Sequence, residues 1–194
     1  MKDGEYIKEK TYVEGADDDY FYATAAITNG SKTILAQPTI GRNITIAVTD
    51  ANHSISAGLI TVTGTNLSGA TVTEVLNLAN ALTLTGTEIF ITISSIVVSN
   101  LVGNEGGDTW KMGYGTVVQI FEGQGTFVSL TVGEDGSTIG SFGLIDGITG
   151  TTPNIGIIKE GVSAKTFLYD VQITLGLRIV IAGDSPITCN FYKV

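Results

Sequence analysis

The sequence predicts an all-β protein of antiparallel strands, arranged as a β-sandwich or in a jelly-roll-like fold. Short runs of alternating polar and apolar residues recur along the chain, and clusters of Gly, Asn, Asp and Ser separate them. No window has the sustained period of a long amphipathic helix. The best helical candidate, 73–84, also fits two strands around Asn80-Ala81. Many short strands with regular turn residues are typical of sandwiches and jelly rolls.

The first part of the chain contains the clearest strand patterns. Strands are predicted at 20–27, 43–48, 58–65, 71–78, 88–99 and 110–121. The turn residues Asn66-Leu67-Ser68-Gly69 predict a hairpin between the two strands that flank them. Ser94-Ser95 predicts a bulge or a change of face within its strand. Gly113 and Gly115 predict a bend or a close contact in the last of these strands.

The second part of the chain begins after the glycine-rich segment 122–125. Further strands are predicted at 126–132, 137–145, 164–174, 176–181 and 187–192. This organisation predicts two β domains preceded by an N-terminal arm, and one extended sandwich is the alternative. The expected boundaries are 1–19 for the arm, 20–121 for the β-sandwich domain and 122–194 for a second, smaller β domain.

Composition and charge exclude several classes of function. Charged residues make up 15% of the chain, against about 25% in typical soluble domains, and Thr, Ser, Asn and Gly take their place. The net charge is −9 and no cluster of Lys and Arg exists, so we expect no binding to nucleic acid through phosphate contacts. We expect no membrane helix, since no apolar run approaches about 20 residues. The polar first residues predict no signal peptide and therefore assembly in a cytoplasm-like compartment.

Residues suited to acid–base or nucleophilic catalysis are scarce. The chain has one histidine, His53, in a predicted loop, and Ser141 lies near glycines without the pattern of a nucleophile elbow. Loop carboxylates could form the pair that glycoside hydrolysis needs, but Asp at turns usually accepts hydrogen bonds from the local backbone. These carboxylates are Asp50, Glu105, Asp108, Glu134, Asp135, Asp146 and Asp184. The sequence therefore predicts no catalytic residue and no enzyme activity.

Metal and cofactor sites are not predicted either. A Cys/His cluster for zinc is missing, and the single cysteine, Cys189, fits a small buried or half-buried strand residue. The triplet Asp17–Asp19 could join a calcium site, but it lacks the spacing of a calcium loop and is interpreted as a solvated acidic linker. Gly113-Tyr114-Gly115 has no following helix to form a phosphate cradle, and 147–150 is a predicted loop without a basic partner. We expect no metal ligand and no cofactor.

Function is then expected to lie in surfaces and assembly. Charge-poor, threonine-rich strands suit contact with other protein surfaces, and the N-terminal arm could add a strand to the sheet edge of a neighbouring molecule. A homo-oligomer would cover the edges that so many strands create.

The chain also resembles the virion proteins of tailed bacteriophages. The similarity covers about residues 43–194 as a succession of strands and turns. It rests on segments 58–65, 74–78, 85–96, 111–115, 127–132 and 176–180 and on the final strand. The resemblance implies a role on the particle, as an auxiliary capsid (decoration) protein, the base of a head fibre, or a connector or tail component. It implies no catalytic residues.

The leading hypothesis is a decoration protein in the virion, assembled in the host cytoplasm. Its expected partners are the major capsid protein or other virion proteins and further copies of the chain, with a trimer favoured. A tail or connector component is the first alternative, and a carbohydrate- or receptor-binding fibre module is the second. A polysaccharide-degrading enzyme is the least favoured.

Overall fold

A computed structural model describes residues 5–13, 15–78, 82–133, 141–149, 153–158, 165–183 and 185–193. These residues form fifteen strands and no helix, and every pair of strands whose register is defined is antiparallel. The prediction of an all-β fold is therefore confirmed. No helix with the length and hydrophobicity needed to cross a membrane occurs in this described part of the chain.

The chain divides into two compact units. The central unit is Asp17–Gly115, and the terminal unit combines Met1–Ala16 with Thr116–Val194. The expected three-part division at residues 19 and 121 stays a prediction beside these boundaries.

The central unit contains a four-stranded sheet with the order β3-β8-β5-β6. Its strands are β3 (Gly30–Ser31), β5 (Ala57–Thr65), β6 (Thr71–Asn77) and β8 (Thr92–Val102). The unit also contains β2 (Asp17–Ala26), which pairs with the first half of β9 (Thr109–Glu122), and β4 (Gly41–Thr49), which pairs with β7 (Thr83–Thr85). The predicted hairpin at 66–69 joins β5 to β6, so that interpretation is confirmed.

One buried cluster fills the central unit. Alternate residues of β5 and β8, such as Val62 and Val98, are buried together with Phe21 of β2, Ile46 of β4 and Trp110 of β9. The period of two in these strands places one side chain in this cluster and the next one outside it.

The terminal unit contains a second four-stranded sheet, with the order β1-β15-β10-β13. Its strands are β1 (Glu5–Val13), β10 (Gly125–Val132), β13 (Lys165–Ile173) and β15 (Ser185–Lys193). In addition, β11 (Ser141–Asp146) pairs with β12 (Gly156–Ile158) and with β14 (Gly176–Ala182), and β14 pairs with the second half of β9.

Aromatic side chains are part of the mainly aliphatic buried core of the terminal unit. Phe127 and Phe191 are buried, Phe121 stacks on Phe191 with ring centroids 4.5 Å apart, and Tyr169 stacks on Phe127 at 4.9 Å. Cys189, the only cysteine, is buried on β15, as the sequence predicted.

The N-terminal residues differ from the predicted arm. β1 pairs with β15 of the same chain along its whole length, from Glu5 opposite Lys193 to Val13 opposite Ser185. The pairing uses main-chain hydrogen bonds, which a segment of poor apolar periodicity can still form. In the structure this segment is therefore an edge strand of the sheet of its own chain.

The acidic triplet Asp17–Asp19 also differs from its interpretation as a linker, because it begins strand β2. A Cβ atom on Gly113 would lie 1.7 Å from the carbonyl oxygen of Asp17. The absence of a side chain at Gly113 therefore lets the two backbones approach. The close contact predicted for the glycines of this strand is confirmed, and it is what brings the triplet into the sheet.

Two further predicted strands differ in extent from the structure. The predicted strand 88–99 is found at Thr92–Val102, and the bulge expected at Ser94-Ser95 is present, because Ser95 pairs with Thr63 and Ile93 with the next residue, Gly64. The helical candidate 73–84 contributes to β6 and β7, and its residues 79–81 lie outside the described residues. Residues 137–140 of the predicted strand 137–145 lie outside them as well.

Candidate interaction surface

The outward side of the β5 sheet is a surface without charged residues. We call it the β5 face and define it by the outward side chains of three strands. These residues are Ala57, Leu59, Thr61, Thr63 and Thr65 of β5, Thr71, Thr73, Val75 and Asn77 of β6, and Thr92, Ser95, Val97, Ser99 and Val102 of β8. None of them is Asp, Glu, Lys, Arg or His, although the chain carries 19 acidic and 10 basic residues.

The local sequence explains how this face is built. Buried and half-exposed residues alternate along the whole of β5, which is the period of a strand with one face in the core. The extra residue Ser94 on β8 bulges out of the ladder, and its hydroxyl donates a hydrogen bond to the carbonyl of Thr63 at 3.0 Å. The bulge keeps Ser95 and Thr92 on the same outward side as Thr63 and Thr65.

Hydroxyl groups on the β5 face pair with each other across the strands. The oxygens of Thr63 and Thr73 are 3.2 Å apart, and those of Thr65 and Thr92 are 2.7 Å apart. Such cross-strand threonine pairs stabilise a sheet. They also satisfy part of the hydrogen-bonding capacity of the face, which lowers the cost of removing it from water.

The centre of the β5 face is apolar. Val75 lies opposite Thr61 on one side and Val97 lies opposite it on the other. Val75 is 55% exposed and Val102, at the end of the face, is also 55% exposed. Valine side chains that lie among neutral hydroxyl groups are well suited to contact with another protein.

The edge strand of this sheet carries one buried charge. Glu74 of β6 points into the unit and is only 8% exposed. Its Oε1 atom accepts hydrogen bonds from the backbone N–H of Thr87 at 2.6 Å and of Glu88 at 3.4 Å, while Oε2 is buried without a hydrogen-bond partner. An inward-pointing charge on an edge strand is one of the devices that protect sheet edges from pairing with another chain.

The terminal unit has a similar surface on β10, β13 and β15, which we call the β10 face. Its outward residues include Thr126, Thr131, Thr166, Leu168, Gln172, Thr188, Asn190 and Tyr192, while Ser129 is buried and β13 also carries the exposed Asp170. Polar pairs connect the strands: Thr131 and Thr166 oxygens are 2.9 Å apart, and the Asn190 amide donates to the Ser129 hydroxyl at 2.8 Å. Leu168 is 82% exposed on this face.

The carboxylates of the acidic triplet lie close together on β2. One carboxylate oxygen of each of Asp17, Asp18 and Asp19 lies within 4.8 Å of those of the other two. Asp18 forms an ion pair with Lys111 at 2.7 Å. A hydrogen bond with the Asp17 side chain and the charge of Asp17 raise the pKa of Asp19 above its usual value. The triplet is an exposed acidic cluster with one basic partner, and exposed clusters of this kind are common without an ion.

The single histidine lies on a loop that a carboxylate organises. His53 is exposed between β4 and β5, with φ of 60°. The two carboxylate oxygens of Asp50 accept hydrogen bonds from the N–H groups of Ser54 and Ile55, each at 3.0 Å. Burial raises the pKa of Asp50, but these hydrogen bonds outweigh it, so the net shift is downward. Asp50 thus serves the turn, as the sequence predicted.

Other loop carboxylates have the same structural role. Asp108 is buried and accepts hydrogen bonds from the N–H groups of Ala51 and Glu105, both at 2.9 Å. The Glu105 carboxylate accepts a hydrogen bond from the Asn52 amide at 2.7 Å. Glu134, Asp135 and Asp184 lie outside the described residues.

Asp146 holds the turn between β13 and β14. Its carboxylate accepts hydrogen bonds from the Thr174 hydroxyl at 2.8 Å and from the N–H groups of Thr174 and Leu175 at 3.0 Å. Partial burial raises the pKa of Asp146, while the hydrogen bonds from Leu175 and Thr174 lower it by more.

Sequence patterns did not reveal the buried polar groups. The Arg178 guanidinium donates a hydrogen bond through Nε to the side-chain oxygen of Gln119, and both residues are buried. Gln119 also donates to the carbonyl oxygens of Phe121 and Leu177. β14 is buried on both sides over most of its length, so alternation could not mark Arg178 as inward.

The described residues thus offer the neutral β5 face as their most distinctive surface, and Asp50, Asp108 and Asp146 accept hydrogen bonds from backbone N–H groups. Comparison with known protein families, with curated proteins and with solved structures finds no match to this chain.

Proposed function

We propose that this chain is a non-enzymatic structural protein of a tailed-bacteriophage virion, namely an auxiliary capsid (decoration) protein. It would bind and stabilise the outside of the head through its sheet faces, with the major capsid protein and further copies of itself as partners. The observation that carries the proposal is the β5 face, where 14 outward residues of three strands include no charge.

The composition of the β5 face and its outward position both support a role as a contact surface. A solvent face usually carries interspersed Lys, Arg, Glu and Asp, and depletion of charge marks the core of protein interfaces. The hydroxyl pairs at 2.7 and 3.2 Å reduce the desolvation cost of covering this face. Because the sequence resembles the virion proteins of tailed bacteriophages, we propose that this surface makes its contacts on a phage particle.

The proposal includes a finer view of the fold. Each unit would be a β-sandwich with jelly-roll-like connections. Support comes from the central unit, where residues of the β5 sheet share one buried cluster with residues of β2, β4 and β9. Two packed layers around a single core are the usual solution for sheets that are apolar on one side.

Binding to heads that lack the protein tests this function. Purified chain is mixed with such heads, and the bound fraction is measured after sedimentation. We expect saturable binding with a fixed number of copies per head, and thermal stabilisation of the head. Val75→Lys places a charge in the centre of the β5 face and is expected to weaken binding at least tenfold. Leu35→Lys is the matched control, because Leu35 is 61% exposed and lies outside this face.

Two outcomes would contradict the proposal. If the chain does not bind heads, it is not a head decoration protein. If it binds only tails, connectors or a glycan, one of the alternative assignments replaces it.

A further inference from the structure

We infer that Asn29 is a site of spontaneous deamidation, at which the side-chain amide is converted to a carboxylate without an enzyme. The reaction is a covalent change of this chain and does not depend on the proposed function. The residue that follows Asn29 and the bend before β3 in which Asn29 lies both favour it.

The reaction begins with attack by the backbone nitrogen of Gly30 on Cγ of Asn29. Because the two groups belong to adjacent residues, this step is intramolecular. A bond forms between the nitrogen and Cγ, the bond from Cγ to Nδ2 breaks, and Nδ2 leaves as ammonia with the proton of the attacking nitrogen. Water then opens the cyclic imide at either of its carbonyl groups. The product is aspartate or isoaspartate, and nothing is oxidised or reduced.

The residue after an asparagine controls access to the attacking nitrogen. Gly30 has no Cβ, so no side chain hinders its nitrogen or the rotation that brings this nitrogen to Cγ. Asn29 is the only asparagine of the chain that is followed by glycine, and Leu, Ile, Phe, His, Ala or Glu follows the others. Asn29 is therefore the asparagine at which this attack is least hindered.

The structure around Asn29 also suits the attack. Asn29 and Gly30 are exposed, and no atom lies within 4 Å of the position that a Cβ on Gly30 would take. Oδ1 of Asn29 accepts a hydrogen bond from the backbone N–H of Leu101 at 3.1 Å. This donor stabilises the negative charge that develops on Oδ1 when Cγ is attacked. Nδ2, which is the leaving group, takes no part in that hydrogen bond.

β3 restrains Gly30 only weakly. The strand is two residues long and lies at the edge of its sheet, with Gly30 opposite Val98 and Ser31 opposite Val97. A short edge strand opens locally at a small cost in free energy. Attack on Cγ therefore does not require the central unit to unfold.

The two products differ in their effect on β3. Aspartate keeps an oxygen that accepts the Leu101 N–H and adds one negative charge. Isoaspartate directs the main chain through Cγ, which lengthens it by one carbon ahead of β3 and disturbs the pairing with β8. The N–H of Lys32 donates to the carbonyl of Ile96 at 2.9 Å. We expect this N–H to exchange faster in the isoaspartyl chain than in Asn29→Asp, which carries the charge alone.

Peptide mapping by mass spectrometry measures the reaction at each asparagine. The folded chain is kept at neutral pH for several weeks, and a parallel sample is kept unfolded in urea. Asn66 is the matched control, because its Oδ1 also accepts a backbone hydrogen bond in a turn, from Ala70 at 2.9 Å, but Leu67 follows it. In the folded chain we expect Asn29 to deamidate about tenfold faster than Asn66, because no side chain hinders the attacking nitrogen.

Two substitutions test the role of the following residue. Gly30→Ala is expected to slow the reaction of Asn29 by about tenfold. Its folding is checked by thermal unfolding, because Ala is strained at the φ of 110° that Gly30 adopts. Leu67→Gly is expected to accelerate the reaction of Asn66 by a similar factor, and this variant provides the test if Gly30→Ala does not fold.

Two results would overturn the inference. One is equal deamidation of Asn29 and Asn66 in the folded chain. The other is deamidation of Asn29 in urea alone, which would show that the fold protects it. Neither result bears on the binding of the chain to heads, so the inference and the proposed function can fail separately.

Discussion

Asp146 offers a sharp test of the interpretation that loop carboxylates in this chain hold turns rather than perform chemistry. Its carboxylate accepts hydrogen bonds from Thr174 and Leu175 at 2.8 to 3.1 Å. Asp146→Asn keeps the shape of the side chain but removes the charge and replaces one acceptor oxygen with a donor. The variant therefore loses at least one of these hydrogen bonds, and those that remain are made to an uncharged acceptor.

The expected loss of stability follows from the number and exposure of these bonds. Hydrogen bonds to charged groups contribute roughly 1.5–3 kcal/mol and neutral ones about 0.5–1.5 kcal/mol. Because the site is partly exposed, solvent screens the charge, and we expect a loss of about 1–2 kcal/mol in the free energy of unfolding. For a chain of this size, that corresponds to a decrease in Tm of about 2–8 °C.

The pH dependence separates the charge from the shape of the side chain. The folded-state pKa of Asp146 lies below its usual value. The stabilisation is therefore complete above the unfolded-state pKa of about 3.9 and is lost as the pH falls through the folded-state pKa. Thermal unfolding at pH 7 and at successively lower pH is expected to show a gap between the unsubstituted chain and Asp146→Asn that closes below about pH 4.

Asp170→Asn is the matched control, since Asp170 is exposed on β13 with φ of 52°, a conformation that Asn also adopts readily. We expect this variant to change Tm little. The reasoning is refuted if Asp146→Asn is as stable as the unsubstituted chain at pH 7, or if its deficit persists unchanged at low pH.

Three further substitutions test packing and charge, each by the free energy of unfolding in urea. Gly113→Ala is expected to cost about 1–3 kcal/mol because its Cβ would lie 1.7 Å from the Asp17 carbonyl oxygen. Gly106→Ala, where no atom lies within 4 Å of the added Cβ, is its control, and equal effects at the two glycines would contradict the close contact. Phe127→Ala is expected to cost about 3–5 kcal/mol because Phe127 is fully buried; a loss below about 1 kcal/mol would place it outside the core. Lys111→Ala is expected to leave the free energy of unfolding nearly unchanged, since the ion pair with Asp18 is partly exposed, and a clear loss of stability would show that the pair stabilises the fold.

Alternation was the most informative feature of the sequence for the fold. It placed β4, β5 and β6 closely, whereas β14 was placed by its run of Ile and Val, residue types that favour strands. The bulge at Ser94 was also predictable, since two successive serines interrupt an otherwise regular pattern of Ile and Val. The neutral character of the β5 face follows from the same residues once the outward side is known.

Other features depend on tertiary pairing that alternation does not encode. β1 is charged and irregular in pattern, and only its pairing with β15 makes it a strand. In β6, Thr73 and Val75 alternate with Glu74 and Leu76, so the sequence does not decide which pair points inward. The structure buries Glu74. Its hydrogen bonds with residues 87 and 88 come from a later part of the chain.

The location of the protein in purified phage particles tests the proposed function most directly. The proposal implies a phage that encodes the chain, and particles of that phage would be imaged by electron cryo-microscopy with the chain labelled. The proposal predicts copies in a regular array on the outside of the head. Particles that contain no copy of the chain, or that hold it only in the tail or at a single vertex, would contradict the assignment as a head decoration protein.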